Sequence, residues 1–74
     1  MKGIEAVKVC MDKRNYTQTK LAEETGFKSQ SGVAELLRRE DIKVSNMIKL
    51  LVPLGYELVI KDKYSNEEIV ITGE

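Results

Sequence analysis

No histidine and no tryptophan occur among the 74 residues, and cysteine, proline and phenylalanine appear once each. Without histidine there is no imidazole for general-base chemistry or for a histidine-containing zinc site, and a single cysteine cannot close a disulfide within the chain. Asp62, Glu67 and Glu68 lack the spacing of a calcium loop, and no glycine-rich phosphate loop is present. The sequence therefore predicts a noncatalytic protein that uses no cofactor and no metal. No apolar run approaches the roughly 18 residues of a spanning helix, and residues 1–10 are too charged and too short for a signal peptide. The expectation is a cytoplasmic protein without a membrane partner.

What is present suits an ordered fold. Hydrophobic residues make up 42% of the chain and charged residues 32%, a balance that favours one small globular domain over a disordered segment. The formal net charge is zero, so any polyanion would have to be held by a local patch. Residues 1–26 carry five positive and four negative side chains, residues 27–55 five and three, and residues 56–74 two and five. A mildly basic body is thus joined to an acidic end.

Periodicity divides the domain, residues 1–74, into a helical part over 3–55 and a hairpin over 56–72. Ile4, Val7 and Met11, with Cys10 alongside, recur at helical spacing and define a first helix. Cys10 reads as a small core residue, since nothing in the chain would activate it. Thr17 is placed to cap a second helix that begins near Gln18 and turns Leu21 and Ala22 inward. Gly26 suits the left-handed stop that follows, and Phe27 is expected to fill core beyond it. Ser29 or Ser31 caps a third helix with an apolar stripe of Val33, Leu36 and Leu37, and the run from Arg38 to Asp41 reads as a surface connection. Val44 and Ser45 resemble a hydrophobic residue followed by a cap, ahead of a fourth helix that buries Met47, Ile48, Leu51 and Leu54 and ends around Pro53 and Gly55. From Tyr56 the period becomes two: Leu58 and Ile60, then Ile69 and Ile71, alternate with their neighbours around a turn at Lys63–Asn66. An isolated hairpin is marginal, so this one should pack on the helices or extend across a dimer.

The segment Thr17 to Leu37 joins a short capped helix to a second through a glycine-containing turn. That geometry can brace one helix on DNA backbone and place the other in the major groove. In the order Thr17, Gln18, Leu21, Ala22, Gly26, Ser29, Gln30, Ser31 and Val33 the chain resembles the Cro/C1-type, or XRE-type, helix-turn-helix family. The likeness extends less sharply through Val44, Met47, Leu51 and Gly55 and covers roughly residues 4–56. It departs in a turn one residue longer than the common pattern and in Gly32. The resemblance implies a mainly α, compact four-helix domain, here carrying a C-terminal β-hairpin, and a sequence-specific binder of double-stranded DNA that acts as a small transcriptional regulator. In family terms Thr17 and Gln18 start the positioning helix, and Ser29 to Glu35 form the reading helix.

On that reading Gln30 is the first choice for a base contact, because its amide offers a paired donor and acceptor to adenine. Ser31, Ala34 and Glu35 complete the base-reading set. Glu35 would meet phosphate repulsion unless a cytosine amino group, solvent or a nearby cation answers it. Thr17, Gln18, Lys28, Arg38 and Lys43 are the expected backbone contacts, with Arg39 a further candidate, and they supply affinity more than sequence choice. Leu58, Ile60, Ile69 and Ile71 are the expected homodimer contacts of a dimeric repressor, with cover for the fourth helix as their other use. The rival reading is a noncatalytic protein-interaction adaptor or inhibitor that uses the helical scaffold and the hairpin, a role that suits the acidic end.

Overall fold

The computed structural model describes residues 1–26 and 30–72, with Gln30 and Ser31 described by their backbone alone. Four helices are followed by two strands: α1 is Gly3–Arg14, α2 Gln18–Thr25, α3 Gln30–Arg38, α4 Val44–Leu54, β1 Leu58–Lys61 and β2 Glu68–Ile71. The expected mainly α class and its terminal hairpin are both present. α4 packs on α1 and α2, and α2 packs on α3. Each helix contributes one side chain to the fully buried centre: Val7, Leu21, Val33 and Leu50. No polar or charged residue among those described is buried, so burial of apolar surface carries the fold.

Local signals position these helices. Thr17 has an extended backbone, and its Oγ1 accepts the Lys20 N–H at 3.1 Å, which satisfies one amide at the start of α2. We expect Thr17→Ala to destabilise the domain by about 1 kcal/mol, read from chemical denaturation. α1 and α4 close in the same manner. Asn15 and Gly55 take left-handed backbone, with φ of 57° and 78°. Beyond them, Tyr16 N–H reaches Met11 O at 2.9 Å and Tyr56 N–H reaches Leu51 O at 3.2 Å. Pro53 is accommodated in the last turn of α4, one residue before its final residue, Leu54.

One cap falls elsewhere than expected. Lys43, not Ser45, is the N-cap of α4: its backbone is extended and its carbonyl accepts Met47 N–H at 2.9 Å. The hydrophobic residue before that cap is Ile42. It and Met47 both pack on the core and both reach toward Gly3, while Val44 is exposed. Ser31 is the second residue of α3 and so does not cap it, and Ser29 lies outside the described residues, as do Phe27 and Lys28.

The strands pair antiparallel, with Leu58 opposite Ile71, Val59 opposite Val70, Ile60 opposite Ile69 and Lys61 opposite Glu68. The expected apolar face therefore exists. Its root closes on the helices, since Leu58 packs against the core and Ile71 is half-buried. Its outer half does not, and Ile60 and Ile69 stay 56% and 58% exposed. Asp62 organises the turn by accepting Tyr64 N–H at 2.8 Å. That bond, with a smaller contribution from Ser65, holds the Asp62 carboxyl below its ordinary pKa.

Candidate nucleic-acid interface

α3 buries Val33, Leu36 and Leu37 and turns Glu35 and Arg38 to solvent. Gly32 and Ala34 are half-buried, so the middle of the outward face carries little bulk. Of the groups that could offset Glu35 at a DNA surface, the structure supplies a nearby cation: Arg39 Nη2 lies 3.1 Å from Glu35 Oε1, one helical turn away. Both side chains are well exposed, Arg39 at 55% and Glu35 at 63%, so the pair is worth only about 0.3–0.5 kcal/mol and is easily exchanged. Its consequence is electrostatic, because it cancels a negative charge on the face that would approach phosphates.

The remaining candidates occupy helix ends. Thr17 is exposed, and because its oxygen already accepts from Lys20, its hydroxyl hydrogen is left to donate outward. Gln18 opens α2 and is half-buried. Arg38 closes α3, Lys43 caps α4, and with Arg39 they form three exposed cations around the short connection between those helices. The structure describes no side-chain position for Gln30 or Ser31 and none for Lys28. Among the described residues no group of three or more His, Cys, Asp or Glu is placed to hold a metal ion. No helix among them is long and apolar enough to cross a membrane.

A cluster that sequence reasoning missed fixes the position of α2. Arg14 Nε donates to Leu54 O at 2.9 Å, and its guanidinium lies 4.5 Å from the Tyr56 ring centroid. Tyr16 Oη lies 2.7 Å from Glu24 Oε2 and 3.2 Å from Pro53 O. Lys20 Nζ stands 4.5 Å over the Tyr16 ring. Side chains at the end of α1 and just beyond it thereby satisfy carbonyls at the end of α4 and tie both to α2. The available signal was Arg14 in the last turn of α1, where a cation also suits the helix dipole.

Donation to Glu24 raises the Tyr16 pKa, with desolvation and the Glu24 charge acting in the same direction. A raised folded-state pKa gives stability that is complete below the ordinary tyrosine value and is lost as pH rises through the folded one. We expect alkaline unfolding of the wild type to include this component and Tyr16→Phe to lack it, in denaturation series run from neutral pH to above about 10.

A family model described as Helix-turn-helix matches residues 7–60, most of the chain and all of α2 and α3. The chain belongs to the Cro/C1-type helix-turn-helix family of DNA-binding transcription regulators. No curated protein and no solved structure matches it significantly.

Proposed function

We propose that the protein is a noncatalytic, sequence-specific regulator of transcription that binds double-stranded DNA as a homodimer and represses by occupying its site. The observation that carries this reading is the α2–α3 pair inside the matched span, with Val33, Leu36 and Leu37 of α3 buried and Glu35 and Arg38 open to solvent. Gln30, Ser31, Ala34 and Glu35 read base edges, while Thr17, Gln18, Lys28, Arg38 and Lys43 contact the backbone. One reading helix spans few base pairs. Two related by symmetry address half-sites roughly 34 to 36 Å apart, which favours a dimer. The unpartnered outer half of the hairpin supports the same assembly.

The experiment is selection of bound sequences from random duplex DNA, with wild type and Gln30→Ala in parallel. Wild type should enrich a two-fold symmetric motif, and Gln30→Ala should relax or shift preference at one position in each half. Unchanged preference removes Gln30 from the reading set. Absence of any enriched motif contradicts sequence-specific regulation.

A further inference from the structure

A two-stranded sheet leaves an unpaired backbone edge on each side, and the edge of β1 has a self-complementary sequence. Asp62 N–H bonds to Glu67 O at 2.8 Å, and these residues stand opposite one another in the register of the hairpin. Pairs along an antiparallel ladder alternate between hydrogen-bonded and non-hydrogen-bonded, so Ile60 with Ile69 and Leu58 with Ile71 are bonded pairs. The N–H and C=O groups of Val59 and Lys61, and of Glu57 just before the strand, then point away from β2.

We propose that this edge pairs antiparallel with the same edge of a second copy, centred on Val59, to give one four-stranded sheet; the inference rests on the dimeric reading above. The outward-pointing residues meet one another in that register. Val59 faces the partner's Val59, and Glu57 faces the partner's Lys61 on each side of the axis, a pair of opposite charges repeated by symmetry. Leu58 stands opposite the partner's Ile60, so every side chain keeps its own face of the sheet. The corresponding pairing along β2 sets Glu68 against Thr72 and gains no opposite-charge pair.

The register also brings exposed apolar side chains together. Leu58 and Ile71 line a groove of about 620 Å³ between α4 and the hairpin root, and Ile60, on the same face of β1, is 56% exposed. Pairing on β1 sets the partner's Ile60 beside Leu58, which removes apolar surface of both from water.

Sedimentation equilibrium on the full chain tests the proposal. Wild type should show twice the 8.4 kDa monomer mass. Glu57→Lys places like charges across both ends of the interface and should weaken dimerisation by about ten- to thirtyfold. Lys61→Glu combined with Glu68→Lys keeps the pairing within the hairpin and should weaken self-association equally. Mixing the two variants should restore dimers, because the heterodimer sets opposite charges against each other at both ends: the lysine introduced at position 57 meets the glutamate introduced at position 61, and the unchanged Lys61 meets the unchanged Glu57. A monomeric wild type, an undiminished Glu57→Lys dimer, or a mixture without restored association overturns the proposal.

A second arm uses geometry alone, in a Cys10→Ala background. Val59→Cys should oxidise to a covalent dimer, since hydrogen-bonded antiparallel partners lie about 5.5 Å apart at Cα, within disulfide range. Val70→Cys should not, and the reverse result overturns the choice of edge. Low-salt duplex binding by the dissociated Glu57→Lys protein is measured alongside. Retained weak binding with an intact interface result supports both readings, whereas dimers of the stated register without DNA binding by any form reject only the regulator reading.

Discussion

Leu50→Ala should leave the domain largely unfolded at 37 °C. Leu50 is completely buried and packs in the core with Val7, Leu21 and Val33, so truncation removes apolar surface where all four helices meet. Leucine-to-alanine changes at such sites cost about 2–5 kcal/mol, and a domain of this size has little more than that in total. In a thermal scan followed by circular dichroism the midpoint should fall by about 10–30 °C. Val52→Ala on the same helix, at an exposed position, should shift it by less than about 3 °C. A similar midpoint for the two variants would mean that α4 is not the centre of the core.

The second large effect concerns affinity. Arg38→Ala combined with Lys43→Ala removes two exposed cations next to the reading helix. Binding to a selected duplex should weaken by about ten- to a hundredfold near 0.1 M salt, and the slope of log affinity on log salt should fall by about 0.9 for each phosphate no longer neutralised. The preferred sequence should stay the same, because these side chains position the protein and do not read bases. Arg39→Ala differs in kind. It also frees Glu35 from its partner, so its effect on affinity should shrink when Glu35 is replaced by Gln in the same chain.

Much of this architecture was legible because its signals are local. Thr17, Gly26, Asn15 and Gly55 mark helix ends through side-chain capping or tolerance of left-handed backbone, and each acts within a few residues of the chain. The inward sets of α1, α2 and α3 follow from spacing alone. Leu50 escaped notice because it stands one turn after Asn46 and next to Lys49, which places it at the edge of the apolar arc formed by Met47, Ile48, Leu51 and Leu54. Ser45 misled for another reason: a good capping residue sat inside a helix that began at backbone the sequence does not distinguish. The clip of Arg14, Tyr16 and Glu24 reaches across as many as 40 positions of the chain, which no local rule detects. The division of the hairpin face into a packed root and an exposed outer half likewise depends on where α4 ends.

The reading helix carries the proposed function, and chemical-shift mapping tests it most directly. Uniformly labelled protein would be titrated with a selected duplex while the backbone amide of every residue is followed. The largest changes are expected over residues 28–38 and at the start of α2, with smaller ones near Lys43. Changes confined to residues 56–72, or none at low salt, would contradict a DNA-reading role for α3.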